Sequence, residues 1–182
     1  DASNRTTGDE KLLGMAWDKA IQPIFDAKCV SCHNGTPGAA NPTYQIVDPV
    51  SGASFSWTFN LSGNRIPVTI GGTMIESFTA SYFSMAGPDM EAIEKGNLMI
   101  TGDFKIYMEP QNARGSLVIE KLNPTQLYPN PDASQRAFAT PAHSTVGGYT
   151  ELTPAEFYKL ILAADMGVNF FARENNPHDQ SY

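Results

Sequence analysis

Ala27-Lys28-Cys29-Val30-Ser31-Cys32-His33 decides how the rest of this chain is read. Two thiols three residues apart, followed at once by an imidazole, form the Cys-x-x-Cys-His signature of covalent c-type haem attachment. The spacing has a physical cause. On a helix, Cys29 and Cys32 share one face, so each thiol reaches one vinyl group of the same porphyrin and forms a thioether. His33 then turns its imidazole to the iron, and histidine is the usual axial ligand of haem. A helix is predicted to begin near Ile21-Gln22-Pro23, with Pro23 in its first turn. It carries Cys29, Cys32 and His33, and Asn34-Gly35 stops it. Two other readings of the cysteines compete. Zinc normally takes four ligands, and the chain has only two cysteines. A thioredoxin-like redox pair calls for a βαβ setting, which the sequence around it does not suggest.

Working outward, Thr36 to Pro42 reads as a loop on the proximal side of the haem. A backbone carbonyl there would accept the second ring N–H of His33. Phe55 to Leu61 alternates apolar and polar residues, the period of a half-buried strand. Ser62-Gly63-Asn64 reads as a turn and Arg65 to Ile70 as a second strand, with Pro67 marking an edge. Together these predict a small β-hairpin within 43–75. Ser77 to Asn97 is ambiguous, with a short helix possible at Asp89–Ile93. Ser116 caps a short helix over Leu117–Leu122, which Asn123-Pro124 ends. Residues 123–150 are rich in Pro, Asn, Ser, Thr and Gly and form a long loop. Thr153-Pro154-Ala155-Glu156 gives the last helix an N-cap, a first-turn proline and a capping-box glutamate. Phe157, Leu160, Ile161 and Ala164 fall on one face, and Gly167 is the expected stop.

At 182 residues the chain is long enough for one domain with a substantial core. Lys and Arg number 12 against 19 Asp and Glu, a net charge of −7. That balance argues against a binder of nucleic acid or of an anionic membrane and suits a redox partner with a basic docking surface. No uncharged apolar run is long enough to span a bilayer. The opening Asp1-Ala2-Ser3 shows no signal peptide, so Asp1 reads as the start of a mature or trimmed chain. Covalent haem attachment takes place outside the cytoplasm, which implies a periplasmic or extracellular protein. Asn4-Arg5-Thr6 and Asn60-Leu61-Ser62 match the glycosylation acceptor pattern.

Three separated stretches carry a family resemblance. Ile21 to His33 resembles the haem segment of the cytochrome c-like domains of planctomycete multidomain proteins and hydrazine-synthase-alpha-like proteins. Pro110-Gln111-Asn112-Ala113-Arg114-Gly115-Ser116-Leu117-Val118 resembles their Pro-Gly-Asn-Pro-x-x-Ser-Leu segment. Leu152 to Val168 resembles their closing Leu-Thr-x-x-Glu helix. The likeness covers about a third of the chain. Gln111 and Ala113 stand where the family has Gly and Pro, and Ala163 where it has Trp. The resemblance implies a mainly α fold: a cytochrome c-like helical core around one covalent haem c, with a loop-rich insertion holding the hairpin. The corresponding division is a tail at 1–9, a single haem domain at 10–172 and a tail at 173–182.

The sixth iron ligand separates functions, because a strong protein ligand gives an electron-transfer centre and an open position permits chemistry on small molecules. His143, nine residues before Leu152, is the leading candidate. Related domains often carry a ligand just before the closing helix. Met108 is the alternative, followed by Met85, Met90 and Met99, although methionine is ordinarily core filler. His178 lies in a polar stretch and is read as a surface residue. The leading function is a monohaem electron carrier rather than a catalyst. The alternatives are a haem domain of a larger redox enzyme with an exchangeable iron site, where Tyr107, Tyr149 or Glu151 would serve as distal groups, and a structural haem module of an assembly, with self-association possible.

Overall fold

The sequence around the cysteines begins as expected and then departs from a helical bundle. The structure, a computed structural model, describes residues 15–70, 73–87, 99–102, 105–122, 143 and 146–170, and of 67–70 and 73–77 the backbone alone. A π-helical turn over Trp17–Ile21 runs into helix α1, Gln22–Lys28. The strands are β1 (Thr43–Val47), β2 (Ser54–Thr58), β3 (Arg65–Ile70), β4 (Thr73–Thr79) and β5 (Met99–Gly102). Helix α2 spans Ala80–Ala86, α3 Leu117–Leu122 and α4 Pro154–Asp165.

The expected mainly α core is not what forms. Five strands make two antiparallel sheets, one ordered β2-β1-β5 and one pairing β3 with β4. Among the described residues there are four α-helices, and of these α4 alone, with 12 residues, exceeds two turns. The expected hairpin is also re-partnered. Its two strands exist, but β2 pairs with β1 (Tyr44 opposite Trp57) and β3 pairs with β4 (Ile66 opposite Phe78). The cause lies between them. The Phe59 and Leu61 amides donate to the carbonyls of Pro42 (2.9 Å) and His33 (2.8 Å), and the carbonyls of Ser62 and Asn64 accept from Ser81 and Ala80. Residues 59–64 are thus bonded to three other parts of the chain and do not close a tight turn. β1 follows the two-residue period, with Tyr44 and Ile46 buried between exposed Thr43 and Gln45.

One apolar core joins the ends of the described chain. Trp17, Ile21 and Phe25 pack with Leu160, Ala164, Val168 and Phe170, and the Trp17 amide donates to the Phe170 carbonyl at 3.0 Å. A buried polar knot pins α1 to α2. The Gln22 amide oxygen accepts from the Ser81 hydroxyl, whose oxygen in turn accepts from the Trp17 indole N–H at 2.9 Å. α4 forms as predicted. Thr153 Oγ1 accepts the Glu156 amide, the Glu156 carboxylate accepts the Thr153 amide at 2.7 Å, and Gly167 follows the helix at φ +92°. Leu160 and Ala164 of the predicted face are fully buried, joined by Ala163. The expected helix at 89–93, the tails at 1–9 and 173–182, and most of the 123–150 loop lie outside the described residues.

Candidate functional site

Helix α1 stops earlier than the motif needs. Cys29 is its C-cap, and the next three residues continue as tight turns, with the Cys32 and His33 amides donating to the Cys29 carbonyl at 3.1 and 2.9 Å. Cys29, Cys32 and His33 are therefore brought together by a capped turn, which corrects the expected continuous helix. Gly35, at φ +84°, then reverses the chain, and a Cβ there would sit 2.8 Å from Asn60 Nδ2. Asn60 Oδ1 accepts the Ser62 amide at 2.8 Å.

All three motif residues and His143 line one cavity of about 530 Å³. Its walls are otherwise mostly apolar, with Phe25, Phe59, Leu61, Met85, Val118 and Leu122 contributing. The only charged side chains on the wall among the described residues are Lys28 and Lys121. Burial disfavours the Lys121 ammonium and lowers its pKa, a cost that a carboxylate inside the cavity would offset.

His33 is oriented from behind. Its Nδ1 lies 2.8 Å from the Ala40 carbonyl and 3.3 Å from Asn41 Oδ1, as the loop reading anticipated for the backbone. This partner fixes the Nδ1–H tautomer and leaves Nε2 as the ligating nitrogen. Asn41, buried, also donates to the carbonyls of Cys32 and Thr36 at 3.1 and 2.8 Å. The edge of the Phe59 ring completes the His33 pocket, with centroids 5.3 Å apart. Asn41 and Phe59 escape a motif search, and only their place just beyond Cys-x-x-Cys-His hints at them.

The His143 ring stands 5.8 Å from that of His33, with planes 25° apart. Two imidazoles on opposite sides of one metal, with bonds of about 2 Å, would have centroids about 6 Å apart. Burial first, then electrostatic interaction with His33 and Lys121, lowers the His143 pKa and so disfavours its charged form. Its Nδ1 is buried with no hydrogen-bond partner among the described residues, which is costly unless the cavity's occupant compensates. Tyr149 meets the ring edge-on at 5.1 Å.

The methionine candidates separate. Met85 lines the cavity, while Met108 is fully buried in the core beside it, its amide on the Met85 carbonyl at 3.0 Å. Met99 is half-exposed on β5, and Met90 and His178 lie outside the described residues. Tyr107 and Tyr149 are on the wall, whereas Glu151 offers its backbone carbonyl to Lys28.

The site does not suit the competing readings of the cysteines. Burial pushes the Cys29 thiol up to about 11, opposite to the lowered value of a redox-active Cys-x-x-Cys, and both sheets are antiparallel, leaving no βαβ unit among the described residues. No group of three or more His, Cys, Asp or Glu is placed to hold a bare metal ion among the described residues. No family model, characterised protein or solved structure matches this chain.

Proposed function

We propose that this protein is a monohaem c-type electron carrier working outside the cytoplasm. One observation carries the reading: Cys29, Cys32, His33 and His143 converge on a single apolar cavity. Cys29 and Cys32 would hold the porphyrin through thioethers, and His33, through Nε2, and His143 would supply the protein's ligands to its iron. When bound, the haem supplies an iron that exchanges one electron between ferric and ferrous states. The chain does the rest. The Ala40 carbonyl and Asn41 fix the His33 ring. Phe25, Phe59, Leu61 and Val118 keep water from the site, and Lys121 answers a carboxylate of the porphyrin. The likeness of the motif segment to cytochrome c-like haem domains supports the reading. A net charge of −7 suits a basic redox partner. No helix among the described residues is long and apolar enough to cross a membrane.

A second reading draws on Tyr107 and Tyr149 in the cavity wall. If His143 releases the iron readily, the site becomes the exchangeable centre of a larger redox assembly. Expression in a host competent for haem attachment tests both readings. Under denaturing conditions the polypeptide should be heavier by one haem, and the reduced protein should keep its low-spin spectrum under carbon monoxide. An unmodified mass overturns the proposal, and a spectrum shifted at once by carbon monoxide favours the second reading.

A further inference from the structure

The residue just before the first cysteine is tied to the far side of the cavity. Lys28 Nζ donates to the Glu151 carbonyl at 2.6 Å and pairs with Glu156 Oε2 at 3.1 Å, with the two side chains only 15% and 24% exposed. Glu156 is itself the capping-box glutamate on Thr153. Lys28 therefore grips the corner where the chain enters α4. That corner holds Tyr149, whose phenol oxygen takes the Leu152 backbone N–H and whose ring edge meets His143. The turn is closed further by the Val146 amide on the His143 carbonyl at 2.9 Å and the Tyr149 amide on the Val146 carbonyl at 3.2 Å. The corner thus joins Lys28, on the Glu151 carbonyl and Glu156, to Tyr149, whose ring meets His143.

We infer that Lys28 is a positioning residue for His143, clamping the Tyr149–Thr153 corner so that the His143 ring stays opposite His33. The inference rests on the haem reading above. Its consequence is a graded sixth ligand: with the clamp intact His143 outcompetes added ligands, and with the clamp released it yields to them. An apolar side chain of similar length at position 28 keeps the packing and loses both interactions. An arginine keeps a cation and its donors in reach.

The test uses the haem-loaded chain, with the load of each variant read by mass, and titrates cyanide into the ferric protein. Lys28→Met should raise cyanide affinity about tenfold, the size typical of losing a partner that orients a metal ligand. Lys28→Arg should restore most of the parental value. In a His143→Ala background, Lys28→Met should add nothing, because no ring remains to position. Tyr149→Phe, which drops the bond to Leu152, should shift affinity in the same direction and serves if Lys28→Met loads poorly. Cyanide affinity unchanged in Lys28→Met and Tyr149→Phe, with haem bound, overturns the inference, whatever their melting temperatures. An equal effect of Lys28→Met with and without His143 overturns it too. A parent chain without covalent haem overturns the haem reading itself, a result distinct from these.

Discussion

The imidazoles of His33 and His143 stand with centroids 5.8 Å apart and planes 25° from parallel, although 110 positions separate them in sequence. Only His33 has a fixed partner behind it, the Ala40 carbonyl at 2.8 Å. His143 is held by ring contacts and by its neighbours' backbone. The two rings are thus held unequally: His33 by a hydrogen bond, and His143, among the described residues, by ring contacts.

Replacing the packed ligand should open the site. His143→Ala in the haem-loaded protein should turn the spectrum high-spin and admit carbon monoxide. If the spectrum stays low-spin, and the ferric parent shows the weak near-infrared band of methionine ligation, the ligand is a methionine. Met85, on the cavity wall, is then the residue to replace, in preference to Met108 in the core behind it.

Asn41 supports the locked ligand. Asn41→Leu keeps the volume but leaves the Cys32 and Thr36 carbonyls without their side-chain donor and strips the second acceptor from His33. The expected loss is on the order of 2 kcal/mol, the cost of stranding buried polar groups. Denaturant unfolding measures it. The reduction potential should rise in the same variant, because His33 becomes a weaker donor. Unchanged stability and potential would make Asn41 a bystander.

The motif, the α4 cap and the Leu117–Leu122 helix were legible because each rests on local chemistry: ligand spacing, a capping box, a serine before an apolar run. The sheets were not, because pairing is set by contacts far apart in sequence. Phe55 to Leu61 has a strand's alternation, yet nothing local says that Leu61 bonds to His33 and Gln22, which is what pulls residues 59–64 out of a hairpin. Two readable signals pointed the right way, the alternation of Tyr44 and Ile46 and the Gly71-Gly72 pair between β3 and β4. For the site, residue identity named Cys29, Cys32, His33 and His143. Lys28, Asn41 and Phe59 emerge only when the fold closes around the cavity.

Glu156 makes stability depend on pH in a defined direction. Its hydrogen bonds to Thr153 hold the carboxyl below its ordinary 4.5, with Lys28 adding to the effect. A carboxylate with a lowered folded pKa stabilises fully above its unfolded value and loses that contribution as pH falls through the folded one. Stability should therefore fall below about pH 4.5 more steeply in the parent than in Glu156→Gln, which has no charge to lose. Thr153→Ala, which removes the cap acceptor, should cost about 1 kcal/mol at neutral pH. Thermal melts across pH 3 to 7 compare them, and parallel curves for parent and Glu156→Gln would remove Glu156 from the account.

Gln111 sits in the left-handed region, at φ +61°, where a side chain is strained and glycine is not. The position is the one at which the resembling domains carry glycine. The conformation is imposed by the Gln111 amide on the Ala164 carbonyl at 2.7 Å and by the Ala113 amide on Asp165 Oδ1 at 3.0 Å, which together dock this turn onto the end of α4. The Gln111 side chain is exposed, so little packing is lost when it goes. Gln111→Gly should stabilise by up to about 1 kcal/mol, since relief of strain exceeds the added entropy of the unfolded chain. In a chain of this size that is a rise of roughly 2–4 °C in Tm. Gln111→Ala keeps a Cβ and should show no gain. Val168 provides the contrast. It too has a positive φ, +52°, but its side chain is 98% buried in the core. Deleting a buried valine forfeits about 1.5–3 kcal/mol, more than the strain it carries, so Val168→Gly should destabilise. A gain at 111 with a loss at 168 is the pattern expected. An equal response of Gln111→Gly and Gln111→Ala would show that the turn at 111 relaxes out of the left-handed conformation.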